Sequence, residues 1–593
     1  MKLNEIYNHD KIYYIIVIIF SLLCAGKMML FSLNGGILNP DSSLYLISAL
    51  KYAGIDHYNI SNPNSLFFTP IISFLTSLIF RLGLVDKAAI IIVTTIFSFL
   101  SYIGLFILLK KRFNSLLSLT GVIIYGSLSV IIFNISKGLI DIPALSISIW
   151  ILIFAFKAID EDPKYFLITF PLLVIGFFIK YTVGFTLPVI FLYYLMNKDI
   201  IGSIDFLLYD KKIVTKALKE YLKSNEFKYI MISILLSIVL FVIICKTLIL
   251  DYGGSLIFIQ QSTETFNGHV YDVNRLDYNP HKSYYLSQLT TILYERHPFD
   301  FILSNVIYVI FILGFIFNLI DMRINNKKIN RVKSFISTNF KKRAIGISII
   351  LAIISVIFFI IFPNHMICNI SLLALFTILY SILKQYDLNY NTLSLDITFL
   401  AYFAVNFVFI SMFPVKVPRY SLVFLPAVIY FIIWGLDSIL NILTNKFSVK
   451  DCIYIKKDIN KRFSTSSSII TILIMILFLS TTVSVMGPME IERSNNIYID
   501  VNYKGFVNDL SDVCNFIIHN DTNYHSKTFA SYFHHARIIN WYLNTNTTVL
   551  QEGNSSLKDF NGTDYIILNE KIPFKNYRVI SHNGDFYLYK HKK

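Results

Sequence analysis

"LFFTPIISFLTSLIFRLGL", residues 66–84, is as apolar and as long as a membrane span, yet it holds a proline near its start and an arginine near its end. Whether it crosses a bilayer or lies along one face decides the side on which every later loop falls. The rest of the chain makes this a membrane question. It has 593 residues, 55% of them hydrophobic and only 15% charged, with a mean hydropathy of +0.60. A water-soluble core does not need that much apolar sequence, and runs of about 20 apolar residues, the length that crosses a bilayer, recur throughout. The first run is too long for a signal-peptide core and reads as an uncleaved anchor.

Runs near 12–33, 88–109, 115–135, 142–159, 164–180, 181–196, 229–250, 301–320, 344–363, 367–383, 396–412, 420–442 and 467–486 give about 13 transmembrane helices. Charge settles the status of 66–84. With that segment along the outer surface, the basic loops at 110–112, 198–228, 321–343 and 443–466 all share one side. That side then holds 29 Lys and Arg, against 12 on the other side before residue 487. Cytoplasmic loops carry this excess in helical membrane proteins. The N-terminus is therefore expected in the cytoplasm, and the net charge of +15 is an orientation signal that needs no nucleic acid to explain it. Sequons at Asn59, Asn134, Asn369, Asn520, Asn546, Asn554 and Asn561 all fall outside or at outer span ends in this topology.

Two domains follow: a membrane-embedded part, 1–486, and an extracytoplasmic soluble α/β part, 487–593. In the second, Phe506, Leu510, Val513 and Phe516/Ile517 have helical spacing, "DYIILN" reads as a buried strand, and "YRVISHNGDFYLYKH" reads as two strands about an Asn-Gly turn. The fold class is thus an all-α polytopic membrane protein with outer surface helices and a small α/β C-terminal domain. Cys24, Cys245, Cys368, Cys452 and Cys514 have no metal-type spacing, and only Cys514 lies in an exposed outer region, so no disulfide framework is expected.

Ionisable residues are costly in hydrocarbon, so their placement is informative. The span centres are nearly free of them, Asp437 toward the inside being the main exception. They gather near the outer ends in four stretches: Asn39-Pro40-Asp41 with Tyr45; Asp141-Ile142-Pro143; Lys180-Tyr181; and Lys416 with Arg419-Tyr420. A carboxylate can take the proton of an incoming hydroxyl. Lysine and arginine can hold a phosphate leaving group, arginine through a planar fork. Two acids and several cations at headgroup level therefore suit a reaction between a phosphate-bearing lipid and a neutral nucleophile. Each residue also has a plain structural reading. Asp41 could cap a surface helix beginning near Ser43, and Asp141-Ile142-Pro143 could simply open a helix. Lys180, Lys27 and Lys246 could be interface lysines, and Arg419-Tyr420 an interfacial anchor. His269, His281 and His297 lack metal spacing, as does His534-His535.

The ordered set resembles the polytopic glycosyltransferase C superfamily, in particular the branch of protein O-mannosyltransferases and aminoarabinose transferases. The pattern is an early acid in the first outer loop, a surface helix, an Asp-x-Pro after the third span, a Lys-Tyr turn, and a late Arg-Tyr before a Pro-bearing span. It covers roughly residues 12–440. The resemblance implies Asp41 and Asp141 as catalytic acids, with Asp41 the base or acceptor-orienting carboxylate. It places Lys180 and Arg419, beside Tyr181 and Tyr420, near the lipid phosphate. Relatives often carry Asp-Glu where this chain has Asp41-Ser42, and a Pro pair where it has Thr69-Pro70. The expected activity is inverting transfer of a hexose, mannosyl-like, from a polyprenyl- or dolichyl-phosphate carrier to a protein, lipid or glycan acceptor at the outer face of the cell membrane. No cofactor is expected, and a divalent metal is left open. The competing readings are a lipid-linked glycan flippase or transporter, against which the charge-poor span centres count, and an oligosaccharyltransferase-like ligase. Against the ligase, Trp150, Trp434 and Trp541 are isolated, leaving no Trp-Trp-Asp-type signature. The topology predicts that a reporter fused after residue 330 reads cytoplasmic and one fused after residue 500 reads external. The opposite pair of readings would make 66–84 a span.

Overall fold

The computed structural model describes residues 3–33, 39–55, 70–135, 137–198, 221–256, 279–293, 305–314, 316, 338–361, 364–384, 390–446, 468–480, 482, 506–551 and 555–592. In hydrocarbon a backbone amide finds no water, so an apolar run must close its hydrogen bonds internally. Helix accordingly occupies the place of every apolar run marked above. The helices are α1 (Leu3–Leu33), α2 (Pro40–Ala53), α3 (Pro70–Arg81), α4 (Ala88–Lys110), α5 (Ser115–Ser127), α6 (Ser129–Ile135), α7 (Asp141–Asp160), α8 (Phe166–Ile179) and α9 (Thr186–Asn197). They continue as α10 (Asn225–Ile244), α11 (Asn305–Gly314), α12 (Thr338–Ile360), α13 (His365–Lys384), α14 (Tyr390–Met412), α15 (Leu425–Lys446) and α16 (Ser468–Ser480). Among the described residues, seven segments are long and apolar enough to cross a membrane by themselves. The chain is a multi-pass membrane protein.

Helix α3 is the core of the decisive stretch. Its 12 residues extend only about 18 Å at 1.5 Å per residue, short of a hydrocarbon core about 30 Å thick. It packs along α2, and the Arg81 Nη2 donates to the Tyr52 carbonyl at 2.5 Å. The arginine that argued against a span therefore closes the far end of the neighbouring helix. The run 115–135 departs from expectation by splitting at Leu128, whose backbone is extended. Serines flank that residue, and the Phe20 ring packs on Gly126 where a Cβ would be 2.8 Å away, so helix is locally weak and space is tight. Another close approach lies between α11 and α15, where a Cβ on Gly314 would fall 2.2 Å from the Gly435 Cα. Small residues allow such backbone contact between membrane helices.

One end of the bundle is tied by charge. Lys110, the last residue of α4, and Lys111 and Arg112, which follow it, reach four other helices. Lys110 meets Asp10 of α1 at 2.8 Å and Lys111 meets Asp160 of α7 at 2.5 Å. Arg112 lies 3.4 Å from Asp396 of α14 and 3.9 Å from Asp437 of α15. Tyr430 also donates to Asp396. The carboxylate that stood out toward the inside, Asp437, thus has a partner. All these groups lie at the end that the charge pattern assigns to the cytoplasm, while Asp41, Asp141, Lys180 and Arg419 lie at the opposite helix ends. The basic loops 321–343 and 451–466, and most of 198–228, are outside the described residues apart from the start of α12.

Residues 506–592 form a small α/β unit. Helices α17 (Phe506–Asn520) and α18 (Phe533–Leu543) accompany strands β1 (Phe529–Tyr532), β2 (Thr547–Leu550), β3 (Tyr565–Leu568), β4 (Tyr577–Asn583) and β5 (Phe586–His591). The sheet order is β2-β1-β3-β5-β4. β1 runs parallel to β2 and β3, while β5 is antiparallel to β3 and β4. β3 is the predicted buried strand, and the β4–β5 hairpin turns at Gly584 with φ +54°. Leu510, Val513 and Ile517 of α17 are buried as the spacing predicts, whereas Phe516 stays exposed. The boundary placed at 486/487 lies outside the described residues.

Several expectations are corrected. Cys514 is buried in the core of this unit because it lies on the inward stripe of α17. The described cysteines, Cys24, Cys245, Cys368 and Cys514, are all buried and unpaired, and Cys452 is outside the described residues. Asn134 and Asn369 are buried within helices, their side-chain amides donating to Val130 and Val405 carbonyls, so their sequons are inaccessible. Asn520, Asn546 and Asn561 are exposed; Asn59 and Asn554 are outside the described residues. Replacing Arg112 with Met strands two partly buried carboxylates. The expected cost is about 3 kcal/mol, read as a lower thermal unfolding midpoint of the purified protein.

Candidate active site

The end of the bundle opposite the lysine cluster brings all four predicted stretches together, with only Lys416 of the last one turned elsewhere. α2 starts with Asn39 as its cap, whose side chain accepts the Asp41 N–H at 2.9 Å, and with Pro40 in its first turn. The cap role considered for Asp41 thus belongs to Asn39, two residues earlier, and the Asp41 carboxylate is available for other partners. Gly54, with φ +74°, ends the helix, a left-handed position glycine takes without strain. Ser42 donates to the Lys137 carbonyl at 2.5 Å, which fixes α2 against the segment leading into α7.

Arg419 reaches Asp41 from a 3-10 turn, Pro418–Phe424, that leads into α15. Its Nη2 donates to the Asp41 Oδ2 at 2.8 Å. Lys180 stands between α8 and the 3-10 turn Tyr181–Phe185, and its Nζ donates to the Asp141 Oδ1 at 2.5 Å. The Asp141 side chain is only 4% exposed and that of Lys180 20%. Tyr420 joins the two pairs, its ring centroid 5.1 Å from the Lys180 Nζ and 5.7 Å from the Arg419 Cζ. Tyr45, one helical turn beyond Asp41, feels Asp41, Arg419 and Asp141, and burial with these carboxylates pushes its phenol well above the usual range. Tyr181 packs on Phe177, ring centroids 4.9 Å apart.

Arg537 was not foreseen. It lies on α18, and its Nη1 donates to the Asp41 Oδ1 at 2.8 Å, so each carboxylate oxygen carries one guanidinium. Burial alone would raise the Asp41 pKa, but Arg419 first, then Arg537 and His534, outweigh it and hold the group below the ordinary carboxylate range. Lys416 serves elsewhere. Its ammonium donates to the carbonyls of Ile410, Ser411 and Phe413 at 3.1, 2.7 and 2.5 Å, closing the end of α14. Burial, with repulsion from Lys282, pulls its pKa down to about 8. Among the described residues, Asp41 and Asp141 face three cations, Lys180, Arg419 and Arg537, and one positive charge is left over. The Arg419 Nε is buried and has no acceptor among the described residues. An anion with several acceptor oxygens would satisfy both the charge and the vacant donor. No group of three potential metal ligands occurs among the described residues; His269 and His297 lie outside them.

The chain is similar in sequence segment and in fold to known proteins. A family model described as dolichyl-phosphate-mannose-protein mannosyltransferase matches residues 67–208, the segment running from the start of the decisive stretch through α9. ArnT from Cupriavidus metallidurans bound to undecaprenyl phosphate superimposes with a TM-score of 0.52 at 11% identity, over 99% of this chain and 98% of that chain. The chain has an ArnT-like fold. Its similarity to the apo state of the same protein has a TM-score of 0.51 at 11% identity, with 96% and 97% covered. The archaeal oligosaccharyltransferase AglB from Archaeoglobus fulgidus, in complex with an inhibitory peptide and a dolichol-phosphate, gives 0.48 at 10% identity over 94% of this chain and 69% of that one. No curated protein matches in sequence.

The missed arginine had a faint signature. In "FHHARIINWYL", Phe533, Arg537 and Trp541 recur at four-residue spacing, which puts two aromatic rings and a cation on one helix face. Nothing in that spacing names Asp41 as their target. The Asp141–Lys180 pair makes its own prediction. Lys180→Met leaves a buried carboxylate alone and is expected to cost about 3 kcal/mol. Adding Asp141→Asn should recover most of that loss in thermal unfolding. If the double variant is no more stable than the single one, the pair is not what holds α7 to the α8–α9 turn.

Proposed function

We propose that the chain transfers one sugar, a hexose with mannose the first to test, from a polyprenyl- or dolichyl-phosphate carrier to an acceptor hydroxyl. The reaction takes place at the outer face of the cell membrane, with the N-terminus cytoplasmic and the C-terminal domain external. The observation that carries this reading is the site's composition. A carboxylate paired through both oxygens sits beside a second acid–lysine pair and, among the described residues, there is cationic charge to spare and one buried guanidinium N–H lacking an acceptor. The ArnT structure with undecaprenyl phosphate and the mannosyltransferase family model supply the class of carrier.

In this reading the Arg419 Nε and Lys180 hold the phosphate of the carrier, with Tyr181 and Tyr420 shaping the wall around it. The bond between the anomeric carbon and the phosphate oxygen breaks, and its electron pair leaves on the phosphate, where the cations neutralise it. The acceptor oxygen bonds to the anomeric carbon from the opposite face, so the configuration inverts, as single displacement requires. Asp41 accepts the hydroxyl proton as that bond forms. Each of its oxygens uses one lone pair on an arginine and keeps another for the acceptor. Its low pKa suits late proton transfer, when the attacking oxygen has become acidic. Asp141 acts by fixing Lys180. No step here needs a metal.

The test is transfer by the purified protein from a panel of polyprenyl-phosphate sugars. Asp41→Asn is expected to lower kcat about 100- to 10,000-fold, the usual worth of a positioned acid or base, with the unfolding midpoint retained. Full activity in that variant would remove Asp41 from its role. Movement of intact lipid-linked glycan with no transfer from any donor would favour a transporter.

A further inference from the structure

We infer that Arg537, supplied by the C-terminal domain, is a positioning residue for Asp41, so that the external domain completes the site of the membrane domain. The inference rests on the reading of Asp41 given above. It begins with geometry. Arg419 binds Oδ2 and Arg537 binds Oδ1, both at 2.8 Å. A carboxylate held through one oxygen can still swing about its last bond; held through both, each by a separate guanidinium, its plane is constrained. Arg419 comes from the turn before α15 and Arg537 from a different domain, so neither arginine can substitute for the other.

Arg537 is itself held in place. Its Cζ lies 4.3 Å from the centroid of the Phe533 ring, one turn earlier on α18, which gives the guanidinium a cation–π seat. One turn later, the Trp541 indole stacks on Phe80 of α3, centroids 6.3 Å apart and planes at 22°. α18 packs along α2, the helix that carries Asp41. Phe533, Arg537 and Trp541 thus form one stripe, with the arginine between its own aromatic seat and the anchor of the helix. α3, the helix that the charge pattern kept out of the membrane, is the floor on which the external domain rests. A stripe that served docking alone would be complete with the aromatic residues, and the arginine adds a charged contact to the one acid that the site needs ionised.

The groups facing Asp41 set the sign of the test. Arg419, Arg537 and His534 favour its ionised form, and burial opposes it. Tyr45 is beside it, and Asp141, already paired with Lys180, acts on Arg419 and Tyr45. Asp41 works as an acceptor of protons only when ionised, so transfer falls as the pH drops through its pKa. Removing a neighbouring guanidinium raises that pKa, by about one unit or more, and moves the acid limb of the rate profile to higher pH.

The experiment compares full-length wild type, Arg537→Gln and Arg537→Lys in two measurements. The first is the pH dependence of kcat/KM for sugar transfer. The second is an infrared titration of the protonated-carboxyl band, taken as the difference from Asp41→Asn, which requires no substrate. In Arg537→Gln both midpoints should rise by about one pH unit, and transfer at neutral pH should fall at least about tenfold from lost orientation. Arg537→Lys, which keeps the charge, should leave both midpoints near those of wild type. If Arg537→Gln does not purify folded, Phe533→Leu replaces it, removing the seat and moving the midpoints in the same direction. Midpoints that coincide in wild type and the neutral or seat variant overturn the inference, as does a lysine variant that titrates like the glutamine one. A wild type that transfers no sugar defeats the proposed function alone, because the infrared titration still reports whether Arg537 governs Asp41.

Discussion

The carboxylate of Asp41 is the constraint around which the outer half of this protein is arranged. An ionised acid at the edge of a bilayer is tolerated only when its charge is compensated, since neither hydrocarbon nor headgroups replace the water it loses. Here two guanidiniums do so, one from residue 419 and one from residue 537. To meet the first, the chain unwinds the start of its twelfth predicted span into a 3-10 turn. To meet the second, the C-terminal α/β unit packs through α18 on α2 and α3. Asn39 caps α2 so that Asp41, inside the first turn, is spared that duty, and the helix N-terminus adds its own small preference for a negative charge.

The opposite end of the bundle shows the same economy of charge. Lys110, Lys111 and Arg112 are consecutive at the end of α4 and are matched by acids on α1, α7, α14 and α15. Because unpaired charge is expelled from the hydrocarbon, both ends collect it, and the centres are left to apolar packing and to small residues such as Gly314 and Gly435. The two ends then do different work. The lysine cluster gathers helices from across the sequence, while the cluster at the other end keeps, among the described residues, one cation in excess and one guanidinium N–H without an acceptor.

Much of this was legible in order. The apolar runs marked the helices because a membrane permits little else, and within 66–84, which the asymmetry of Lys and Arg assigns to the outer surface, the structure has the short helix α3, Pro70–Arg81. Asp41, Asp141, Lys180 and Arg419 stood out because each is a costly residue at an interface. Other readings failed for reasons of packing. Cys514 is buried because a helix stripe turns it inward, and the sequons at Asn134 and Asn369 lie within helices whose packing buries both side chains. Lys416 had the right address and the wrong partner, as the open carbonyls at the end of α14 were nearer than any acid.

Composition, charge asymmetry and the spacing of apolar residues determined by themselves that this is a multi-pass membrane protein with the candidate site residues at one end of its helices and a small α/β unit beside them. Those properties depend on local sums over sequence, which the bilayer reads directly. Pairing was decided only in three dimensions. That Lys180 belongs to Asp141, that Arg419 and Arg537 share Asp41, and that Tyr420 lies between the pairs depend on contacts across as many as 496 positions. A charge carries no mark of which opposite charge it will meet, and packing of the helices that bear the two alone brings them within 3 Å.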